Sequence, residues 1–356
     1  MRLVEPAARA AKRSRGGRIG LVLLVSLALG AAACSAAPTA SGPVATGGTG
    51  TATACDTSKK VKIGFSAPAA DHGWLGAVIT SAQATADKYK ADVTFVTANG
   101  GADASAQGQN IRTLAGQGLD AIAILPYDGA ALTPVAQELT NQGIKVVNID
   151  REFSALTAFR TWIGGDNYGI GRQAGLFFVD KLKGKTPANV VEIEGIAGIS
   201  VTDLRHQGFM DAIAGSNVKV VASQPADFDA AKGRTVMETI LQANPAGTIQ
   251  GVYTHDDDMA EGVVAAINNA NRQTEMILTG AGGSKNAMTA IKAGGLYAAT
   301  FLYNPTMAGS AVNLARLIAH GCGLSELNEP AVPQRIQLDA TTVTKDNVDQ
   351  YLALGY

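Results

Sequence analysis

Apolar residues along this chain fall into two alternating spacings. Residues 61–66 form a short, nearly continuous apolar run of the kind that makes a buried strand. Residues 74–89 then carry apolar side chains three and four apart, a helical stripe rich in small alanines suited to packing on a sheet. The pair of patterns recurs as strand 93–96 with helix 103–115, and as strand 120–125, stopped by Pro126, with helix 131–141. Asp103 is placed to cap the helix that follows it. A fourth strand, through Val146-Val147-Asn148-Ile149, ends on Asp150 and Arg151. Steps of about 25–30 residues predict right-handed crossovers and a parallel sheet.

The rhythm pauses at residues 161–167 and restarts. Helices are predicted at 168–182, 202–214, 229–243, 257–269 and 285–293, and strands at 189–194, 218–222, 249–254, 275–279 and 297–302. After Asn304-Pro305 another helix runs to about Ala319. A variable stretch, 321–333, then leads to Ile336-Gln337-Leu338 and a tail ending at Tyr356. The expectation is an α/β protein with two similar Rossmann-like lobes joined by a multi-strand hinge. Lobe 1 is 59–163 plus about 304–335, and lobe 2 is 164–303 plus about 336–356. Two such lobes make a clamshell that can open and close.

Strand ends give the first functional candidates. In open parallel sheets ligands bind beyond the carboxyl ends of the strands, which is where Asp150 and Arg151 fall. Asp150 can accept from two hydroxyls, and Arg151 can donate a rigid fork; the competing reading is a solvated ion pair.

Charge and composition narrow the classes. Glycine is plentiful at 41 residues, against 2 tryptophans and 3 cysteines, as suits many strand-to-helix turns. Six of the 29 bases and one of the 30 acids lie in residues 1–33, which leaves 23 bases against 29 acids beyond them. So mildly acidic a body argues against a nucleic-acid partner.

The amino-terminal basic segment, the apolar run 19–33 and then Cys34 read as a secretory signal, too short to span a bilayer. With Gly30-Ala31-Ala32-Ala33 before the cysteine, residues 1–33 resemble a bacterial lipoprotein signal, and Cys34 is the residue that would carry the lipid. Plain secretion with Cys34 as a spare thiol is the alternative. Residues 34–58 are small and polar, and predict a flexible tether. Cys55 and Cys322 are free to pair in an oxidising compartment, and their spacing does not decide it.

Several motifs point elsewhere and are set aside. Gly169, Gly171 and Gly175 are spaced GxGxxxG inside a helical pattern, which fits helix packing better than a dinucleotide turn. Gly184-Lys185-Thr186 lacks the first glycine of a phosphate loop, since Val179 stands there. In His255-Asp256-Asp257-Asp258 the acids sit where a helix starts. A cap with one member turned to a ligand is favoured over a metal site. No metal and no cofactor are expected, and no nucleophile–base set emerges.

Asp150-Arg151, Gly195-Ile196-Ala197-Gly198, Arg205 with Gly208-Phe209, the run 223–229, Asp257-Asp258-Met259 and the run 305–309 together resemble a known family. It is the extracytoplasmic sugar-binding proteins of bacterial ABC importers, in the ribose- and galactofuranose-binding branch with the type I periplasmic fold. The likeness covers about 60–320 and includes Leu354-Gly355-Tyr356.

The resemblance implies a monosaccharide ligand, an ABC permease as partner, a monomer, and a position at the outer face of the cell membrane. It places a stacking aromatic at Trp74, the family's acid–base pair at Asp150 and Arg151, and the second-lobe arginine and aromatic at Arg205 and Phe228. An amide position falls on Asp256, and a glutamine of ribose binders on Tyr303. Where the family carries an aspartate this chain has Gly282, so the hydroxyl pattern read by the second lobe has moved. Asp71 and Asn167 complete the candidate set, with Asn99, Asp128 and Asp166 as weaker lining residues.

Three other classes stay on the table. A sensory binding protein signalling to a membrane receptor would use the same site. A secreted sugar-processing enzyme would need paired carboxylates across one substrate. A transcription regulator would need a DNA-binding helix pair where the signal and tether lie.

Overall fold

The computed structural model describes residues 55–327 and 329–356. The signal segment, Cys34 and most of the tether lie outside them. In the first half of the chain β1 (Val61–Ala67), α1 (Gly73–Lys88), β2 (Val93–Asn99), α2 (Ala104–Ala115), β3 (Ala121–Ile124), α3 (Gly129–Asn141) and β4 (Lys145–Ile149) alternate, followed by β5 (Thr161–Gly165). The second half runs α4 (Asn167–Lys181), β6 (Asn189–Glu194), α5 (Ser200–Ile213), β7 (Lys219–Pro225), α6 (Ala230–Ala243), β8 (Gly251–Thr254), α7 (Asp257–Asn269), β9 (Ile277–Gly282), α8 (Lys285–Ala293) and β10 (Tyr297–Leu302). Then come α9 (Met307–Ala319), β11 (Arg335–Leu338) and β12 (Thr342–Thr344).

These strands form two six-stranded sheets with the same pattern. The first is ordered β11-β5-β4-β3-β1-β2 and the second β12-β10-β9-β8-β6-β7. All pairings in the first are parallel, and only β12 runs antiparallel in the second. Helices cover both faces, so central strands such as β3 are buried along their whole length. Each sheet with its helices is one lobe, as the alternating periodicity predicts.

The chain passes between lobes at three places: from β5 into α4, from β10 into α9, and from β11 into β12. One segment departs from expectation. Ile336-Gln337-Leu338, assigned above to the second lobe, is the edge strand of the first sheet: Ile336 pairs with Ile163, and Asp166 N–H donates to Leu338 O at 2.9 Å. Four partly exposed residues carry too little periodicity to say which sheet they join, and the backbone groups of β5 decide it.

Close helix packing and one covalent link tie distant parts of the chain together. Two of the GxGxxxG glycines let α4 lie close on α5: a Cβ at Gly171 would come within 2.9 Å of Phe209 N and one at Gly175 within 2.9 Å of Phe209 O, while Gly208 of α5 makes the matching approach, its Cβ within 2.8 Å of Arg172 N. That accounts for the motif as helix packing. Cys55 and Cys322 form a disulfide with Cα atoms 5.3 Å apart, so the described end of the tether is tied to the segment after α9. Among the described residues no helix is long and apolar enough to cross a membrane.

Candidate functional site

The site is built where strand and helix ends from both lobes meet. β4 ends at Ile149, and Asp150 turns the chain with φ 61°, a left-handed conformation that Asp tolerates better than most residues. Neighbours hold that turn. Trp162 Nε1 donates to Asp150 O at 2.9 Å, and Asn148 donates to Arg151 O at 3.0 Å while accepting from Phe153 N–H at 2.9 Å. The turn aims both side chains into the space between the lobes. Both are buried, at 4% exposure each. Tyr303 Oη donates to Asp150 Oδ1. Burial pushes the Asp150 carboxyl up, against the opposing pull of Arg151 and the Tyr303 bond. Arg151 Nη1 donates to Tyr127 O at 2.6 Å, but its Nε has no partner and lies 3.9 Å from Asp150 Oδ2.

Around this pair the aromatic and cationic groups interlock. Trp74, in the first turn of α1, stacks on Tyr303 with ring centres 5.4 Å apart and donates from Nε1 to Tyr303 O at 2.7 Å. From α5, the Arg205 guanidinium lies over the Tyr303 ring, 4.8 Å from its centre. It donates to Asn167 Oδ1 at 3.0 Å and to His255 O. Asn167 in turn donates to Tyr303 Oη at 3.0 Å. Phe228 adopts φ 60° and is buried against Gly195, where a Cβ would strike its ring.

The acid run after β8 separates into three roles. Asp256 caps α7 by accepting from Met259 N–H at 2.9 Å, and it also faces the cavity. Burial pushes its carboxyl up to about 7, with His72 opposing and Asp258 adding to the rise. Asp257 is fully buried and accepts from Gly283 N–H (2.7 Å), Ser284 N–H (2.8 Å), Tyr297 Oη (2.7 Å) and Thr300 Oγ1 (2.8 Å). Asp258 reaches the other lobe and accepts from Trp74 N–H at 3.1 Å. Consecutive residues on a helix point about 100° apart, so these carboxylates diverge and do not gather on one cation.

Trp74, Asp150, Arg151, Arg205, Phe228, Asp256 and Tyr303, all named from the sequence, line one cavity. Asp71 and Asn167 do not. Asp71 is exposed and binds His72 Nδ1 at 2.5 Å, while Asn167 stands one layer behind Arg205 and Tyr303. Asp128 and Asp166 are helix caps, bonded to Ala131 N–H at 2.9 Å and Gly169 N–H at 2.8 Å. The side chain of Asn99 lies outside the described residues. His72, Val201 and Ala281 line the cavity without having been singled out, and Gly282, marked from the sequence for its missing side chain, lines it at the end of β9. The His72 ring stacks on Phe228 across the cleft, 6.4 Å between centres. Burial works against its charge, yet the Asp71 bond and the field of Asp256 raise its pKa overall.

Cross-lobe contacts of Trp74 with Asp258 and of His72 with Phe228 leave the cleft nearly shut. About 20 Å³ is open to the centres of water molecules, roughly the room one buried water needs.

Among the described residues one group with ligand atoms suited to a metal, Glu192, Glu194 and His206, lies apart from the cavity, its atoms within 4.8 Å of one another. Glu192 is already engaged, with His255 Nε2 at 3.0 Å, and with His206 Nδ1 and Ser223 Oγ both at 2.8 Å.

This two-lobed α/β frame, with acids, arginines and aromatics facing each other across the cleft, agrees with a family model described as a periplasmic binding protein domain, which matches residues 63–321. The chain belongs to the periplasmic binding protein family. Its fold is the type I form, with two mostly parallel sheets and alternating helices. Among members of the family, it is 36% identical over 264 residues to the ribose import binding protein of Bacillus subtilis (strain 168), covering 74% of this chain and 83% of that protein. Similarity to the galactofuranose-binding protein of Escherichia coli (strain K12) is 31% over 305 residues, covering 83% and 92%. A solved galactofuranose-binding protein superposes with a TM-score of 0.75 at 29% identity, over 83% of this chain and all of that one.

Proposed function

We propose that this protein captures a monosaccharide outside the cytoplasm and delivers it, unchanged, to an ABC import permease. The observation that carries this reading is Arg151 Nε. It is a buried charged donor with no hydrogen-bond acceptor, its Asp150 Oδ2 neighbour standing off at 3.9 Å, in a cavity lined from both lobes. An unmatched buried donor costs stability until a ligand supplies an acceptor. A sugar has the matching chemistry. Its hydroxyls accept from Arg151 and Arg205, donate to Asp150 and Asp256, and take over the bond Tyr303 now makes to Asp150. Its apolar ring face fits between Trp74 and Phe228. Asn167 would act from behind by holding Arg205 and Tyr303, and Asp71 by orienting His72.

Lobe closure over the ligand removes water and strengthens these bonds. The ring form and identity of the sugar follow from how Asp256 and the bare Gly282 divide the second lobe's donors and acceptors. The protein acts as a monomer, anchored through a lipid on Cys34 with the segment 34–58 as its tether, and its lobes present the surface that docks on the permease.

Calorimetric titration of the purified protein with pentoses, hexoses rich in furanose forms, and polyols tests this reading. One sugar should bind at one site per chain and be recovered unchanged by NMR. Conversion of the sugar to product, or absence of binding across the panel, would refute it.

A further inference from the structure

Gly282 forms part of the cavity wall at the end of β9 and has φ 138°, a conformation that L side chains rarely adopt. A Cβ placed there would lie 2.6 Å from Tyr356 Oη and 3.4 Å from Asp257 Oδ2. The phenol of Tyr356 thus fills the space a side chain at 282 would use, and glycine is what lets it approach.

The hydroxyl is buried and has no hydrogen-bond partner. The donors around Asp257 have settled without it: Gly283 N–H, Ser284 N–H, Tyr297 Oη and Thr300 Oγ1 all bond to Asp257. The segment bearing it is firmly placed. Lys285 N–H donates to Tyr356 O at 3.0 Å, and Gly355 rests against Met288, where a Cβ would come within 2.7 Å of Met288 Cε. The ring packs on the core cluster that contains Trp74, Ala281 and Tyr303. Burial pushes the phenol's pKa far up, and the nearby Asp256, Asp257 and Asp258 push it further while Arg205 opposes, so the group remains a neutral donor.

We propose that Tyr356 is a specificity-determining residue of this site, whose hydroxyl reaches past the bare backbone of Gly282 to bond one oxygen of the bound sugar. This rests on the sugar-binding reading above. A polar group from the segment after β12 then does what no side chain at 282 can do, and one ligand hydroxyl is recognised by it. A buried hydroxyl that gains its partner only from the ligand rejects analogues lacking that oxygen, because rejection leaves the hydroxyl unpaired.

The test is calorimetry on the wild-type protein and Tyr356→Phe, with the bound sugar and each of its monodeoxy analogues. Phenylalanine keeps the ring and removes only the hydroxyl. The wild type should prefer the parent sugar over one particular deoxy analogue by about tenfold or more. Tyr356→Phe should bind the parent about 10–100-fold more weakly and no longer distinguish that analogue. Its unliganded melting temperature should stay the same or rise, since an unsatisfied group is gone. Wild-type preferences retained in Tyr356→Phe would overturn the proposal and leave sugar binding intact. Failure of the wild type to bind any sugar or polyol would remove both readings together. Gly282→Ala gives a second measure: its added Cβ meets the hydroxyl, so it should weaken binding several-fold less in the Tyr356→Phe background than alone. Equal losses in the two backgrounds would contradict the placement of Tyr356.

Discussion

Replacing Asp256 with asparagine isolates what a buried acid costs at this site. Asparagine is as good an N-cap as aspartate, so the bond to Met259 N–H at 2.9 Å is kept and only the titrating charge is lost. Burial raises the carboxyl from an ordinary value of 3.8 to about 7. At about 1.4 kcal/mol per pKa unit, ionising Asp256 in the folded protein costs about 4 kcal/mol. Because the folded value lies above the unfolded one, folding favours the protonated acid. The favourable contribution is fully present below about pH 4 and is lost as pH rises through about 7.

Wild type and Asp256→Asn should therefore melt nearly together at pH 4. By pH 8.5 the variant should melt higher by an amount on the order of 5–10 °C. Thermal melts followed by circular dichroism at half-unit pH steps give the comparison. A gap that does not change between pH 4 and pH 8.5, or a variant less stable at pH 8.5, would show that the buried Asp256 charge does not cost the folded protein stability. The same substitution should weaken sugar binding, because it replaces a carboxylate acceptor facing the cavity. Stability gained and affinity lost together would mark Asp256 as a functional strain.

Two further substitutions test the frame that holds the site. Cys55→Ser with Cys322→Ser opens a link that closes a loop with a sequence separation of 267, so the unliganded protein should lose about 2–4 kcal/mol in urea unfolding, and reductant should mimic the change in the wild type only. Arg272, buried at 7% exposure, donates to Leu241 O, Asn244 O and Pro245 O at 3.2, 2.8 and 3.0 Å. Arg272→Met should cost about 3 kcal/mol or more by stranding these carbonyls, measured the same way, with little change in ligand affinity.

Much of the fold was legible because burial on both faces of a parallel sheet writes itself as apolar runs, and helices between them as three–four spacing. Asp150 and Arg151 were legible for the same reason: they stand where an apolar run stops, and strand ends face the cleft. β11 was not, since an edge strand with alternating exposure looks like any short loop and gains its identity only from the backbone of β5.

The acids from Asp256 to Asp258 could be placed at a helix start, and the Asp256 cap on Met259 is local, yet Asp257 and Asp258 find Ser284 and Trp74, 27 and 184 residues away, and no local pattern encodes those distances. Asp71 and His72 show the limit at its finest. Adjacent in sequence, one is solvent-exposed and the other lines the cavity, because the chain turns into α1 between them and the site. Tyr356 lay within a segment whose likeness to the family was visible, but its place beside Gly282 comes from packing on α8.

The most direct measurement is a crystal structure of the protein with its sugar bound. The ring should lie between Trp74 and Phe228, with an oxygen of the sugar within hydrogen-bond distance of Arg151 Nε and the Tyr303–Asp150 bond replaced by a sugar hydroxyl. A sugar bound outside this cavity, or one inside it that leaves Arg151 Nε without an acceptor, would rule out Arg151 as the group that draws the ligand in.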